Sequence, residues 1–286
     1  MSNETELKDV FAYKDVLTLE EASQLFQVST KTFLKLLREE EIPARKVGRE
    51  WRFSRVALLN WIANGNSANY ISAEEDNARA REAYFAQVAP VYDEMRKGCY
   101  GNALRDLIVN RFPPSPADNV ADIGTGTGYL AKGLAALAAG VVAVDTSTAM
   151  LEVAGVELAQ EGISNVRLLE GDAHDLPLSD ASQDMVFANL LFHHLQEPAV
   201  AVKEMHRILK PGGRLVITDV NQHPYHWVKE EKFDLWCGFD RAEIRAWLAE
   251  AGFSDIEVSD VGCNCRTSSK SGMSVEIPMF VATALK

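Results

Sequence analysis

Apolar residues near the start of the chain recur at helical spacing. Thr18 and Glu21 form a predicted capping box at the start of the first helix. Short stretches on either side of Gly48 are predicted to pair as a hairpin, and Ser54 begins a third helix. Two helices, a hairpin and a third helix predict a compact domain over residues 15–64. The apolar face of the first helix holds Leu19, Ala22, Leu25 and Phe26.

Beyond residue 119, short apolar runs alternate with helical patterns. Such alternation favours an α/β fold, in which a mostly parallel sheet has helices on both faces. A helical pattern over residues 79–98 precedes the first strand of this sheet. The predicted strands are 119–123, 141–145, 165–169, 184–188, 214–219, 255–261 and 277–284.

Two polar segments flank the first domain. Residues 1–14 predict a flexible N-terminus, and residues 65–78 are small and polar, as in a linker. The second domain is therefore predicted over residues 79–286. No apolar run approaches the roughly 20 residues that span a bilayer, and the start lacks the pattern of a signal peptide. These features predict a cytoplasmic protein without a membrane partner.

The charge of the chain is divided unevenly. The 286 residues carry a formal charge of −12, which by itself disfavours nucleic acid as a partner. Residues 1–70, however, contain ten basic and ten acidic residues, so the later residues carry the whole negative charge. Residues 28–56 have a net charge of +4, which suits contacts with phosphates.

Basic residues in the first domain match the pattern of DNA-binding domains. Lys31, Lys35 and Arg38 line one face of the second predicted helix, which enters the major groove in winged helix-turn-helix domains. The run LTLEEASQLFQVSTKTFLKLLREEEIPARKVGREWRFSRVALLNWI closely resembles the excisionase-type, MerR-like DNA-binding domain. This resemblance implies DNA contacts by Lys31, Lys35 and Arg38 on the helix and by Arg49 and Arg52 on the wing. Alternatively, these charges form a solvated face, and the domain serves dimerisation.

A glycine-rich loop carries the candidate cofactor chemistry. In VADIGTGTGYLAKGLA the predicted strand ends at Asp122, and Asp145 ends the next strand, 21 residues after Gly124. Glycines let the backbone approach a ligand, and a carboxylate at that position binds ribose hydroxyls. A dinucleotide such as NAD fits the glycine spacing, but Asp122 would repel its pyrophosphate. S-adenosylmethionine (SAM), which carries an ammonium and a sulfonium, is therefore favoured.

Four motifs resemble one enzyme family. The stretches DIGTGTG, VVAVDTS, EGDAHDLP and LKPGGRLVITD are similar to class I SAM-dependent methyltransferases of the UbiE-like group. The resemblance covers roughly residues 80–286 and implies a Rossmann-like sheet of seven strands, the last antiparallel. The residues that it implies around SAM are Asp122, Gly124, Gly126 and Gly128 at the methionine part, Asp145 at the ribose, Thr146 and Met150 at the adenosine, Asp172 and Ala173 at the adenine, Tyr92 as a cover and Asn189 on the methyl side.

Two adjacent histidines are the candidate catalytic residues. His193 and His194 follow the fourth predicted strand, and a histidine pKa near 6.5 suits a general base at neutral pH. An alternative is that one of them packs or bonds to the backbone. The segment after that strand lacks the Pro-Pro-aromatic sequence of amino-type DNA methylases, and this half of the chain is acidic. These features favour a small-molecule methyl acceptor.

The chain contains four cysteines, which suggests free thiols rather than a disulfide scaffold. The Cys263-Asn264-Cys265 segment is distantly similar to arsenite methyltransferases, which hold trivalent arsenic with thiolates. An alternative is zinc, held by His223 and His226 with Cys237 and that cysteine pair. Another is that the thiols, including Cys99, are small apolar groups. We therefore assign no metal ligands from sequence.

The leading hypothesis is a SAM-dependent methyltransferase that acts on a small molecule and carries a DNA-binding domain. One alternative is a SAM-sensing transcriptional regulator without turnover, and another is an arsenite methyltransferase that uses Cys263 and Cys265. Winged-helix domains of this type usually bind DNA as dimers. A homodimer paired through residues 74–98 is therefore a further possibility.

Overall fold

The computed structural model describes residues 14–39, 42–64 and 79–286. The chain divides into two compact units, Met1–Asp76 and Asn77–Lys286. The predicted flexible N-terminus, apart from Lys14, and the predicted linker 65–78 lie outside the described residues. Within the described ranges, no helix has both the length and the apolar character needed to cross a membrane.

The first unit is a small three-stranded sheet packed with three helices. The predicted capping box forms, because the Glu21 amide donates to Thr18 Oγ1 (3.3 Å) and the Thr18 amide donates to Glu21 Oε2 (2.9 Å). The hairpin turns at Gly48, whose φ of 65° suits glycine. The elements are β1 (Val16–Leu17), α1 (Leu19–Leu25), α2 (Thr30–Glu39), β2 (Arg45–Val47), β3 (Glu50–Ser54) and α3 (Arg55–Ala63).

Strand β1 of this unit was absent from the sequence predictions. It pairs antiparallel with β3, with Leu17 opposite Phe53. A strand of two residues has no alternation to detect, so only pairing with β3 reveals it. The core of the unit consists of Leu17, Ala22, Phe33, Ile42, Phe53 and Leu58.

The second unit begins with helices and continues into a large sheet. The helical stretch predicted over 79–98 is two helices separated by a 3-10 turn, Ala89–Val91, whose Pro90 has no backbone N–H to donate. The first elements are α4 (residues 79–88), α5 (Tyr92–Cys99), α6 (Ala103–Arg111), β4 (Asn119–Ile123), α7 (Tyr129–Ala135), β5 (Gly140–Asp145), α8 (Thr148–Gln160), β6 (Val166–Glu170) and β7 (Gln183–Asn189). The remaining elements are α9 (Pro198–Ile208), β8 (Leu209–Val220), α10 (Trp227–Lys232), α11 (Arg241–Glu250), β9 (Ser254–Ser268) and β10 (Ser274–Leu285).

The sheet has the order β6-β5-β4-β7-β8-β10-β9. Strands β6, β5, β4, β7 and β8 are parallel, and β10 runs antiparallel between β8 and β9. Alternate residues of β7 pack in opposite cores: Val186 faces one side of the sheet and Phe187 the other. The predicted seven-stranded, mostly parallel Rossmann-like fold with helices on both faces is confirmed.

Strands β9 and β10 are longer than predicted. The hairpin that they form continues to Ser268 and starts again at Ser274, beyond the predicted ends at 261 and 277. The extension is polar on one side, so its sequence reads as a loop rather than as a buried strand. Cys263 and Cys265 lie on this extension, two residues apart and therefore on one face.

Candidate functional site

A cavity of about 480 Å³ opens at the carboxyl ends of β4, β5 and β7. The chain runs from β4 outward to β6 on one side and then returns to β7 on the other, so this end of β4 is a topological switch point. Ligands of α/β sheets bind at such points. The predicted cofactor residues that line the cavity are Tyr92, Asp122, Gly124, Gly126, Asp145, Thr146, Met150, Asp172, Ala173 and Asn189.

The glycine-rich loop forms the floor of this cavity, and its glycines do different work. Gly124 has a φ of 71°, and a Cβ there would also lie 2.6 Å from Leu191 Cδ1, so this position favours glycine. Gly128 does not line the cavity. It begins α7 with a φ of 79°, and a Cβ there would lie 3.3 Å from the Cβ of Ala154 in α8. Its position indicates a role in helix packing, and its contact with a cofactor stays a prediction.

Two carboxylates, the buried Asp122 and the half-buried Asp145, give the cavity a negative potential. Asp145 accepts hydrogen bonds from the amides of Gly126 (2.8 Å) and Ser147 (2.9 Å), yet burial raises its pKa. Burial also raises the pKa of Asp122 to about 7, opposed by the hydrogen bond from Thr125 Oγ1 (2.7 Å) and reinforced by the charge of Asp145. A cationic ligand relieves this repulsion, whereas a pyrophosphate increases it. The donor set therefore fits SAM better than a dinucleotide.

Polar side chains that follow β6 and end β7 also line the cavity. Asp172 accepts from the His174 amide (2.9 Å) and lies 2.7 Å from its Nδ1, so its carboxylate is held at the rim. Asn189 Oδ1 accepts from Thr218 Oγ1 (2.7 Å) at the end of β7. Leu190, which follows Asn189, has a φ of 54°, a strained value for a residue with a Cβ.

A network ties α5 to the glycine-rich loop. Thr127 Oγ1 donates to Asp93 Oδ1 (2.6 Å), and Asp93 pairs with Arg96 at 3.4 Å. The buried Arg96 guanidinium lies 3.8 Å from the centre of the Tyr129 ring. Sequence reasoning missed this network, because its members are separated by some 30 residues and belong to no motif.

A second cavity, of about 890 Å³, adjoins the first. Its walls come from α4, α5, the segment around residues 220–234 and the extended β9–β10 hairpin. Tyr92 lies between the two cavities, and burial raises the pKa of its hydroxyl well above the usual range. The residues that line both cavities are Phe85, Tyr92, Arg96, Tyr100, Leu190 and His194.

The histidine pair lines the second cavity and lies beside two carboxylates, Asp219 and Asp234, that sequence reasoning missed. His193 Nδ1 lies 2.7 Å from Asp219 Oδ1, and Asp234 Oδ1 lies 3.9 Å from His193 Nε2 and 3.7 Å from His194 Nδ1. Burial opposes the charged form of His193, but Asp219 and Asp234 raise its pKa to about 9. Burial and the charge of His193 hold the pKa of His194 well below its usual range. At neutral pH the lowered pKa therefore leaves His194 uncharged, whereas the raised pKa keeps His193 protonated.

The cysteines do not form the cluster that the zinc hypothesis requires. Cys265 lies beside Cys99 of α5, and both line the second cavity. The hydrogen bond from Cys265 lowers the pKa of Cys99 to about 7. Cys263 and Cys265 both pack against the apolar core, but Cys263 does not line the second cavity, and Cys237 lies 3.8 Å from His226 Nδ1. The structure thus pairs Cys265 with Cys99, where the sequence suggested Cys263.

In the first unit, α2 presents the basic residues predicted to contact DNA. Lys31, Lys35 and Arg38 are exposed, while Phe33 of the same helix is buried. The Phe33 ring lies 5.3 Å from that of Phe53 in β3. This contact holds the helix and the hairpin on one core, so their spacing is defined.

The two arginines of the wing, Arg49 and Arg52, differ in their exposure and in the contacts they already make. Arg49 is exposed in the turn of the hairpin. Arg52 pairs with Glu50 and donates to the Trp51 carbonyl (2.9 Å), so part of its hydrogen-bonding capacity is already used. Arg49 is therefore the more accessible of the two wing arginines.

Two families match separate parts of the chain. Residues 121–217 match the family described as a methyltransferase domain, and residues 16–66 match the family described as a helix-turn-helix domain. These two matches fall within the two compact units.

Individual relatives extend the comparison. The demethylmenaquinone methyltransferase of Clavibacter sepedonicus is 31% identical over 206 residues, which cover 61% of this chain and 82% of that protein. The chloroplastic 2-methyl-6-phytyl-1,4-hydroquinone methyltransferase of Arabidopsis thaliana is 27% identical over 214 residues, which cover 70% of this chain and 62% of that protein. The crystal structure of a SAM-dependent methyltransferase from Aquifex aeolicus shares the fold, with a TM-score of 0.53 and 21% identity. The match covers 70% of this chain and 97% of that one.

Proposed function

We propose that this chain, which belongs to the class I SAM-dependent methyltransferases and carries a helix-turn-helix domain, methylates a small molecule bound in the larger cavity. The observation that carries the proposal is the wall shared by the two cavities, where Tyr92, Leu190 and His194 face both. When bound, SAM supplies a methyl group that its sulfonium already activates. Because transfer is an in-line displacement, alignment of donor and acceptor across this wall contributes much of the rate.

The smaller cavity supports a specific assignment of the cofactor residues. Asp145 would accept the ribose hydroxyls, since it lies beside the glycine-rich loop and retains unused lone pairs. Asp172 at the rim would accept from the adenine amino group, and Asp122 would face the charged methionine part. Tyr92 would close the cavity on the side of the acceptor. Gly128 is left out of this set because it packs helices.

The acceptor class proposed is an aromatic compound with a hydroxyl group, such as a hydroquinone. The larger cavity offers aromatic rings at Tyr84, Phe85 and Tyr100, beside polar groups at His193 and His194. Aromatic walls pack against a planar ring, and a few polar groups orient it. The relatives named for demethylmenaquinone and for a phytylated hydroquinone support the same class.

A product assay tests this proposal. The full chain is incubated with SAM and a panel of hydroquinones, catechols and arsenite, and S-adenosylhomocysteine is measured. Release that depends on a hydroquinone or catechol is expected. Release with arsenite alone would favour the thiol alternative, and SAM binding without any release would favour a SAM-sensing regulator.

A second proposed function is DNA binding by the first unit. It is supported by the exposed basic residues of α2, Lys31, Lys35 and Arg38, and by Arg49 at the tip of the hairpin. Phosphate contacts make such binding steeply dependent on salt. The cytoplasm, the compartment predicted from the sequence, is where this proposal places the protein.

Selection of DNA sequences by the full chain, followed by salt titration, tests this second function. Lys31→Ala combined with Arg49→Ala is expected to weaken binding and reduce the salt slope by about two, one for each phosphate that is no longer neutralised. Light scattering on the same samples measures whether the chain binds as the predicted homodimer. Binding that ignores both salt and the substitutions would leave dimerisation as the role of the unit.

A further inference from the structure

Three side chains of metal-ligand type converge in the wall of the larger cavity. One nitrogen each of His193 and His194 and one oxygen of Asp234 all lie within 4.8 Å of one another. Asp234 Oδ1 is 3.9 Å from His193 Nε2 and 3.7 Å from His194 Nδ1. The side chains are 10%, 19% and 9% exposed, respectively. These separations are too long for hydrogen bonds, so the three groups face a common point without bonding each other.

Two of these ligand atoms have no hydrogen-bond partner. His194 Nδ1 is buried and unpaired among the described residues. The carboxylate of Asp234 likewise makes only the two long contacts with the histidines in the part of the chain that the structure describes. Unsatisfied buried polar atoms are rare in native proteins, and a bound ion is one of the explanations for them. Here the unsatisfied His194 Nδ1 lies 3.7 Å from Asp234 Oδ1.

The spacing suits a single ion between them. Ligand atoms at about 2.1 Å from one metal are about 3.4 Å apart at the tetrahedral angle. The two measured separations from Asp234 Oδ1, 3.7 and 3.9 Å, exceed this value by a few tenths of an ångström. A small rotation of the side chains therefore brings Asp234 and either histidine to the separation of two ligands, and the two histidine nitrogens lie within 4.8 Å of each other.

Behind this set, Asp219 orients His193. It is fully buried, lies 2.7 Å from His193 Nδ1 through one oxygen, and also accepts from the Val220 amide (2.7 Å). A carboxylate on one ring nitrogen directs the other nitrogen toward a metal, and this is the usual support of histidine ligands. The arrangement leaves His193 Nε2 facing Asp234 and His194.

We propose that His193 Nε2, His194 Nδ1 and Asp234 Oδ1 bind one divalent first-row transition-metal ion, with Asp219 as a positioning residue. Two imidazoles and one carboxylate favour such ions over Mg²⁺ and Ca²⁺, which prefer oxygen ligands alone. Three protein ligands leave a coordination position open, as in catalytic metal sites. The sequence assigned no metal here, because Asp234 lies about 40 residues from the histidines in a segment without a recognisable motif.

The location of this metal site suggests its use. His194 lines both cavities, so a metal ion bound to it would lie near the place where acceptor and methyl group would meet. A bound hydroxyl of the acceptor would be polarised and deprotonated more easily there. This use rests on the proposed function, whereas the metal site itself does not.

Metal titration of the full chain, without SAM or acceptor, tests the site. The protein is stripped with a chelator and titrated with Co²⁺ or Zn²⁺, by calorimetry and, for Co²⁺, by visible absorption. We expect one equivalent to bind. Asp234→Asn and His194→Gln should each weaken binding by on the order of a hundredfold or more, and Asp219→Asn by roughly 10- to 100-fold. The matched control is His206→Gln on α9, outside both cavities, which should bind as the wild type does.

Two results would overturn the proposal: the absence of stoichiometric binding by the wild type, and equal affinity in the wild type and Asp234→Asn. Thermal unfolding of the stripped proteins separates loss of a ligand from loss of the fold. Asp234→Asn removes a carboxylate that pairs with His193 at 3.9 Å, so a lower unfolding temperature is expected, and metal affinity is compared only at temperatures where the variant is folded. If that variant does not fold, His194→Gln replaces it, and wild-type affinity in His194→Gln would refute the site. Since no methyl transfer is measured, failure here leaves the proposed enzyme untouched.

Discussion

The two cavities of the second unit lie side by side but are built in different ways. The smaller one is made by strand ends and the turns that follow them, so Asp122, Gly124 and Asp145 lie close together because parallel strands end at one edge. The larger one is assembled from helices before the sheet, a segment after β8 and the hairpin at the sheet edge. Its shape depends on how distant segments pack. The smaller cavity thus depends on the backbone geometry of the parallel strands, whereas the larger one depends on the packing of segments outside those strands.

Replacement of Asp145 gives the sharpest separation of the two cavities. Asp145→Ala is expected to weaken SAM binding by about 10- to 100-fold, because it removes charge-assisted hydrogen bonds to the ribose. Calorimetric titration with SAM measures the change. Co²⁺ binding in the larger cavity should stay unchanged, and Asp180→Ala, an exposed ion-pair residue, serves as the control. Unchanged SAM affinity would refute the ribose assignment.

The pH dependence of SAM affinity reports on Asp122. Its pKa is about 7 in the free protein, and the positive charge of SAM would lower that pKa, so binding releases a proton. Affinity should therefore rise by up to about tenfold per pH unit below pH 7 and level off above it. Titration between about pH 6 and about pH 8 tests the slope. Asp122→Asn should remove this pH dependence of SAM affinity. If the dependence persists in the variant, a group other than Asp122 releases the proton.

Alkylation of a cysteine in the larger cavity tests whether the two cavities act independently. The pKa of Cys99 is lowered to about 7, while burial raises that of Cys237, so at neutral pH Cys99 should be alkylated roughly tenfold faster. The rate at Cys99 should level off above about pH 7. Mass spectrometry of the peptides identifies the modified thiol. Alkylation is expected to block acceptor turnover and leave SAM affinity within about twofold, so a parallel loss of both would mean that the cavities are not independent.

The smallest expected effect on binding is at Gly128. Gly128→Ala forces a Cβ into a left-handed conformation close to Ala154, which should lower the free energy of unfolding by about 1–2 kcal/mol. Urea denaturation measures this loss. SAM affinity of the folded variant should change by less than about twofold, because Gly128 does not line the cavity. A large loss of SAM affinity without loss of stability would indicate that Gly128 contacts the cofactor.

Most of the fold follows from patterns along the chain. The alternation of apolar runs and helices predicted the sheet, and the family to which the chain belongs confirms SAM rather than NAD as the cofactor. The strand β1 and the extension of the β9–β10 hairpin were missed. A strand as short as β1 has too few residues to show an alternating pattern, and the exposed extension of the hairpin has no apolar face. Pairing with another strand, rather than local sequence, therefore determines that both are strands.

Sequence alone determined those functional features that are formed by residues close together along the chain. The basic face of α2, the turn at Gly48 and the acids at the ends of β4 and β5 are all local, since side-chain spacing within one element fixes where they point. Tertiary structure alone decided the rest: that Cys265 meets Cys99, that Gly128 packs helices, and that Asp234 faces the histidine pair. These contacts join segments separated by tens to more than a hundred residues, and no periodic pattern records which distant side chains the packing of the core brings together.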